Sequence, residues 1–440
     1  MKFVIEAMGL TAGGGKAGLM RLLPSLARHG GHRFVALLAD LPEFAAFEGS
    51  RPNLKLILRR KPSSLLRRHF DLQWTVPRLC RAERADALLC LGNFGPRRPP
   101  VPAVALLHNA HYVSAGPPEP GPGATMRERL VIWYGRDYLR RLPAGVRLVV
   151  QTELMKRRVL AVHGQDPSRI EVIPDGDALP PEAKALAERP RRPAAFAAGP
   201  DGRQTPFTFL CLARYYPHKN LEVLLEALKR LPAHSRRPAR CWLTIHPDQH
   251  PGARRLLNRI GSLDAAIENL GPVPPSRLAE VYRAADAFIL PTLAESFGRT
   301  YLEAMRFDMP ILTSNRDFAR ALCGQAALYF DPLDPDSVAR SMAQTMEDAG
   351  LHDRLAAGRE AVLRQVPSWE EIGDRFVDVL ERVAREIGPK TSPSVKPASS
   401  TVILEQAGIH SYGEGHARQS TGHSRPGGNP AATPISARMS

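Results

Sequence analysis

Residues 289–314 read ILPTLAESFGRTYLEAMRFDMPILTS. An apolar strand ends near Pro291, a loop carries Glu295-Ser296-Phe297-Gly298, a helix begins near Thr300, and PILTS returns to strand character. Glu295 and Glu303 stand eight positions apart. On one continuous helix that spacing would rotate them by roughly 80° and part them by about 12 Å along the axis. With Glu295 in the loop instead, it can point at a ligand above the helix start, while Glu303 lies in the first turn. The free backbone N–H groups of residues 298–301 then point into the same space, a ready place for an anion. Two plainer readings stay open. Thr300-Tyr301-Leu302-Glu303 fits a capping box, in which Glu303 only satisfies a backbone N–H, and Glu295 fits a solvated loop carboxylate.

Working outward, short apolar runs alternate with helical patterns almost from end to end. FVIEA, HRFVALLAD, KLILR, DALLCLG, AVALLHN and RLVVQT read as strands in the first half, and FTFLCLAR, CWLTIH, DAFILPT, PILTS and AALYF in the second. Helix-period segments such as GLMRLLPSLARHG, NLEVLLEALKRL and SRLAEVYRAADA lie between them. This alternation predicts α/β architecture with parallel sheets covered on both faces and ligands at the carboxyl ends of the strands. The pattern runs twice. Its Pro/Ala/Gly-rich interruption at 179–206 is a poor core former and reads as the connection between domains at 1–178 and 207–370. A closing helix is expected at 371–387, and the polar, aperiodic tail at 388–440 is expected to be disordered.

Three further segments reach those strand ends. In FLCLARYYPHKNLEVLLEAL a buried strand is expected to end at Arg214, with Asn220 as the N-cap of the next helix. Arg214 and Lys219 then converge where an open sheet binds a diphosphate. Gly13-Gly14-Gly15 lies between the first strand and a helix expected to begin near Lys16 or Ala17, and glycine there lets backbone approach a phosphate or sugar closely. LLHNAHYVSAG places His108, Asn109 and His111 after an apolar strand. A histidine pair three apart also fits a metal site, but no third ligand has a matching spacing.

The bulk numbers agree with a two-domain globular enzyme of 440 residues, 43% hydrophobic and 24% charged. No apolar run is long enough to span a membrane. MKFVIEAMGL reads as a first strand, not a signal peptide. The five cysteines, Cys80, Cys90, Cys211, Cys241 and Cys323, are scattered and read as buried thiols of a reducing, cytoplasmic compartment. The net charge of +16 is concentrated between Arg51 and Pro100, where twelve Lys and Arg face three Asp and Glu. Such a block fits nucleic acid, an anionic membrane or an acidic substrate, and genomic base composition explains it equally well. Signatures of nucleic-acid-binding modules are missing, so nucleic acid is not expected as a partner. LKLILRRKPSSLLRRHF (54–70) interleaves Leu65, Leu66 and Phe70 with Arg59, Arg60, Lys61, Arg67 and Arg68, a pattern that suits the face of an anionic membrane.

Taken together, the Glu295-x7-Glu303 motif, the Arg214/Lys219 pair, IEVIPDGD, GPVPPSRLAEVYRAADA and PSW at 367–369 resemble the family 4 retaining glycosyltransferases of the GT-B fold, which has two facing Rossmann-like domains. The resemblance implies transfer of a sugar from a nucleoside diphosphate sugar to a glycan or lipid-linked acceptor with retention. The donor is a substrate, so no cofactor is implied, and no metal. It implies that Arg214 and Lys219 hold the diphosphate and that Glu303 binds the ribose. Glu295 and the backbone near Phe297-Gly298 would orient sugar hydroxyls, and His108, or failing it His111, would contact the sugar from the first domain. Gly14, Gly15, Ser296, Arg299 and Thr300 complete the implied donor site. Departures are Asp308 where glycine is usual, HPDQHPG in place of a Gly-x-Gly loop, and Ala321-Leu322 where a glutamate is common. Other GT-B activities (a sugar-nucleotide epimerase, an inverting transferase) and an inactive sugar-nucleotide-binding protein are the alternatives.

Overall fold

Two stacks of short, largely apolar strands organise the chain. The structure, a computed structural model, describes residues 1–386 apart from 46, 48, 50, 63, 115–124, 177–178, 188–204 and 262–265. The expected tail and most of the expected connection therefore lie outside the described residues.

The first sheet holds β1 (Lys2–Glu6), β2 (Arg33–Ala39), β3 (Leu54–Arg59), β4 (Ala87–Cys90), β5 (Ala103–Leu107), β6 (Val146–Val150) and β7 (Ile170–Val172). The second holds β8 (Phe207–Cys211), β9 (Ala239–Leu243), β10 (Ile267–Asn269), β11 (Ala287–Leu290), β12 (Ile311–Ser314) and β13 (Ala327–Phe330). Every pairing is parallel, in the orders β3-β2-β1-β4-β5-β6-β7 and β10-β9-β8-β11-β12-β13. These are doubly wound sheets, and each reverses its strand order once, between β1 and β4 and between β8 and β11. Loops leaving the two central strands diverge there and open a crevice at their carboxyl ends.

The strands are apolar on both faces because both faces are covered. In the first sheet Val4, Val35, Leu88 and Leu148 face one core, and Phe3, Ile5, Phe34 and Val149 the other. The second core includes Ile372, Phe376, Val377 and Leu380 from the helix Trp369–Glu386. This closing helix returns to the first sheet and lies on the helix Gly13–Ala27, where a Cβ at Gly373 would come within 2.7 Å of Ser25 Cβ. The stretch expected to be a plain connection contains a helix, Pro181–Ala187, whose Ala183 is buried in the second domain's core.

Two local expectations are corrected. The strand β8 ends at Cys211, three residues before Arg214. Asn220 is not a side-chain N-cap: its backbone is left-handed (φ 54°) and its amide donates to the Pro332 carbonyl at 2.7 Å, while the helix starts at Glu222. Asn tolerates that conformation because its short polar side chain bonds locally. Asp308, where the resembled family has glycine, also has positive φ (53°), and its carboxylate is held by Arg359 and His352. All five cysteines are free and buried. Among the described residues no helix is long and apolar enough to cross a membrane.

Candidate functional site

The two crevices face one another across a cleft of about 2030 Å³ lined by both sheets' loops. On the second-domain side, the loop after β8 is pinned before it reaches the ligand space. Ala213 N–H donates to Thr244 Oγ1 (3.1 Å) and Tyr215 N–H to Gln249 Oε1 (2.8 Å). The loop after β11 is tied to it, since Leu293 N–H donates to the His218 carbonyl at 2.7 Å. That cross-link brings Lys219 Nζ onto Glu295 Oε1, with both side chains about 15% exposed or less (15% and 14%). Arg214 is exposed and lines the cleft beside them. Lys219, Arg214 and Glu295 are thus gathered at the β8/β11 switch point.

Gly298 turns the chain from loop to helix with φ 97°, and a Cβ there would meet the Tyr301 ring at 2.6 Å, so glycine is required on both grounds. The helix runs Arg299–Arg306, one residue earlier than expected, and Gly298 is its N-cap with no side-chain bond. The Thr300–Glu303 capping box does not form. Glu303 is buried and accepts the Tyr282 hydroxyl at 2.9 Å. Of the backbone N–H groups of residues 298–301 expected to be free, that of Tyr301 donates to the Gly298 carbonyl at 3.0 Å. Ser296, Phe297, Thr300 and Glu303 all line the cleft.

From the first domain, the glycine run is not a loop: the helix begins at Gly13, so Gly14 and Gly15 occupy its first turn at the cleft. The Gly14 carbonyl accepts the Arg299 guanidinium from the opposite domain. Arg299 also donates through Nε to Asp175 Oδ2 (2.7 Å) and pairs with it through a terminal nitrogen at 2.5 Å. Gly18 leaves room for this side chain, since a Cβ there would stand 2.2 Å from the guanidinium. Arg299, expected as a donor-binding residue, is therefore engaged as a clasp between domains. Asp175 and its second partner, Gln151 (2.5 Å), were not singled out for a role from sequence; the sole signal was the Asp-Gly turn of IEVIPDGD.

Both histidines line the cleft but differ in their partners. His108 is bonded through its backbone N–H to Asn93 Oδ1 (2.9 Å), with its ring 3.2 Å from the Asn93 amide. His111 is buried and faces the other domain, its Nε2 3.1 Å from Nδ1 of His218. His218 was not expected. Burial, then the nearby Arg299 and Arg68, push His108 down to about 4. Burial also lowers His111, against the opposing pull of Glu295 and Glu128, and lowers His218 well below the usual imidazole range. All three are neutral at pH 7. Below about 6.5 the unfolded chain takes up protons at these positions more readily than the folded chain, so their stabilisation is complete above that pH and is lost as pH falls, for His108 towards 4. His108 alone accounts for on the order of 3 kcal/mol across that window. Urea midpoints are accordingly expected to fall between pH 7 and pH 5, and His108→Asn to flatten the decline; midpoints independent of pH would contradict these burial assignments.

Among the described residues no group of three or more His, Cys, Asp or Glu side chains is arranged to hold a metal ion.

Residues 198–361 match the family model of glycosyl transferases group 1. Over 177 residues the chain is 32% identical to a D-inositol 3-phosphate glycosyltransferase of Gordonia bronchialis, covering 38% of this chain and 37% of that protein. It is 31% identical over 165 residues to O-antigen chain mannosyltransferase B of Escherichia coli (38% and 43% covered). A D-inositol 3-phosphate glycosyltransferase of Rhodococcus opacus is 30% identical over 295 residues (62% and 61% covered). The chain thus spans between about a third and three fifths of the length of these curated relatives. Among solved structures, WaaG, a glycosyltransferase involved in lipopolysaccharide biosynthesis, superposes with a TM-score of 0.64 at 15% identity, covering 86% of this chain and 99% of that one. HepE of Anabaena in complex with UDP-glucose does so with a TM-score of 0.62 at 16% identity, covering 87% and 100%. At such identities the likeness speaks for the fold. With its two facing doubly wound sheets the chain has the GT-B fold, and its segment 198–361 is similar to the glycosyl transferases group 1.

Proposed function

We propose that this chain transfers a hexosyl unit from a nucleoside diphosphate sugar to a glycan or lipid-linked acceptor, with retention at the anomeric carbon, in the synthesis of a cell-surface polysaccharide or glycolipid in the cytoplasm. The observation that carries the reading is the Lys219–Glu295 pair beside Arg214 at the β8/β11 crevice. Lys219 and Arg214 offer two cations to a diphosphate at a strand end, and Glu295 is positioned by Lys219 to accept from sugar hydroxyls. In the reaction the bond from the anomeric carbon to the diphosphate oxygen breaks, and the acceptor hydroxyl oxygen bonds that carbon. The hydroxyl proton passes to the departing diphosphate. The two cations and the N-terminus of helix Arg299–Arg306 oppose the charge that develops on the leaving group. Glu303, buried below that helix end, suits a ribose hydroxyl. His108 and His111 both line the cleft, and His111 is in addition set against His218 of the second domain, so either can contact the sugar from the first domain. The relatives named for transfer to D-inositol 3-phosphate and for mannosyl transfer, and the UDP-glucose complex of HepE, support a nucleotide-sugar donor.

A thermal-shift screen of UDP-, GDP- and ADP-sugars tests the donor, followed by NMR assignment of the product's anomeric configuration. No stabilisation by any nucleoside diphosphate would sink the proposal, and an inverted product would sink retention. Turnover is expected to persist in EDTA, because protein cations occupy the diphosphate site. Loss on chelation with recovery on adding magnesium or manganese would overturn that part.

A further inference from the structure

The dipeptide Tyr215-Tyr216 is split by the fold. Pro217 keeps the residue before it in extended backbone, and Tyr216 has φ −139° and ψ 148°. Successive side chains of extended backbone point opposite ways. Tyr215 turns inward: it is buried, its hydroxyl donates to Glu222 Oε1 at 2.5 Å, and its ring stacks on His250 at 5.4 Å. Tyr216 lines the cleft and is 43% exposed. Ten large apolar side chains stand exposed among the described residues, and of these Tyr216 alone lines the cleft.

Tyr216 is a backed platform. Its ring lies on the His218 imidazole, with centroids 5.5 Å apart and planes 11° from parallel. His218 is fixed in turn, because its ring meets His111 of the first domain and its carbonyl accepts the Leu293 N–H at 2.7 Å. A flat ring held in place at the wall of a polar cleft is the complement of a ligand with an apolar face.

Two polar groups stand close by, one from each domain. Glu128, in the first turn of the helix Met126–Arg140, gives Oε2 to the Thr125 N–H and hydroxyl, and its Oε1 has no hydrogen bond among the described residues. Its charge acts on both His111 and Tyr215, the neighbours of His218 and Tyr216. His250 comes from HPDQHPG, the loop that replaces Gly-x-Gly. Its Nδ1 accepts the Gly252 N–H at 2.9 Å, so the ring hydrogen is on Nε2. That Nε2 is buried without a hydrogen bond among the described residues, 3.4 Å from Glu128 Oε2. A buried donor left open costs free energy. A hydroxyl oxygen about 3 Å from both groups would accept from His250 and donate to Glu128.

We infer that Tyr216, Glu128 and His250 form a subsite for a sugar ring of the acceptor, gripped from both domains, so that the acceptor is a glycan and not a bare lipid alcohol. A pyranose has a face of C–H groups, whose positive hydrogens suit the negative face of an aromatic ring, and an edge of hydroxyls that both donate and accept. The donor's own hexose is the poorer occupant. It is tethered to the diphosphate at Lys219 and faces Glu295, whose side chain is 14% exposed, whereas Tyr216 stands nearer the rim. The inference rests on the glycosyl-transfer reading for the acceptor but not for the sugar-binding surface.

The test is saturation-transfer NMR of the full chain with the methyl glycosides of glucose, galactose, mannose and N-acetylglucosamine, with UDP or GDP present. Saturation of the ring C–H protons of at least one glycoside is expected. Its affinity should fall roughly tenfold in Tyr216→Ala and stay near the parent's in Tyr216→Phe, which keeps the ring. Glu128→Gln should weaken it as well, while the capping box survives because glutamine also serves at that position. Thermal melts and affinity for free UDP or GDP should match the parent in all three variants. Lys219→Ala should lose diphosphate affinity yet still take the glycoside, so failure of the donor reading and failure of this one are told apart. Absence of saturation transfer to all four glycosides would overturn the inference. So would undiminished binding in Tyr216→Ala, or an equal loss in Tyr216→Phe. Displacement of the glycoside by UDP-glucose or GDP-mannose, where UDP and GDP leave it in place, would give the ring to the donor and overturn it too.

Discussion

Lys219→Ala is expected to lower kcat/KM by about 100- to 1000-fold, the usual loss when one donor aimed at developing charge is removed. Lys219 has two tasks. Its ammonium stands where the leaving diphosphate gathers charge, and it holds Glu295 across 76 residues of sequence. Removing it leaves a carboxylate unopposed in the anion site, so ground-state binding suffers as well as the chemical step. Arg214→Ala should weaken diphosphate binding in the same sense but less, because its exposed side chain positions nothing else. Calorimetry with free UDP or GDP separates the outcomes, and unchanged affinity in Lys219→Ala would end the assignment. Lys219→Ala combined with Glu295→Ala should cost less in diphosphate affinity than the sum of the single changes, since the residues act as a pair.

The second large effect concerns the clasp. Asp175→Ala is expected to destabilise the chain by about 3–5 kcal/mol, the range for stripping one partner from a buried ion pair. The side chains of Arg299 and Asp175 are 16% and 6% exposed, and Asp175 also accepts from Gln151 and from the Gly176 N–H. Without it a guanidinium is left within the closed cleft against Gly14 and Gly18, and the domains lose a contact that holds them together. Pairing Asp175→Ala with Arg299→Met should recover part of the loss, because no charge is then left unpaired. Urea midpoints read the first effect and the double variant its cause. A midpoint unchanged in Asp175→Ala would show that the clasp contributes no stability.

Much of the molecule is legible in its sequence. Apolar runs such as FVI and AFIL are continuous because both faces of a parallel sheet are covered, so the α/β class follows from their alternation with helical segments. The exception is instructive: β10, with the residues Ile267-Glu268-Asn269, has one apolar side chain in three and offers no such run. Arg214 and Glu295 were visible because they follow the ends of β8 and β11 by three and five residues, and the carboxyl ends of strands are where an open sheet receives ligands; Lys219 and Glu303 stand farther along, in the loop and the helix that follow.

What tertiary structure decided lies at long separations in the chain. Arg299 reads as one more residue at a helix start, yet it spends its guanidinium on Asp175, 124 residues away, and on Gly14, 285 away. LLHNAHYV offers His108 and, failing it, His111, and only the tertiary structure shows that His218 of the opposing domain is set against His111 across 107 residues. Glu303 satisfies the capping-box pattern, but the buried Tyr282 hydroxyl claims its carboxylate. The apolar stripe of Met126, Leu130 and Trp133 looks like any core-facing helix face until the fold leaves it uncovered. Periodicity, caps and turn residues act over one or two turns of chain, so they determine the elements; which side chains meet is set by how the sheets are wound and how the cleft closes, information carried by no single stretch of residues.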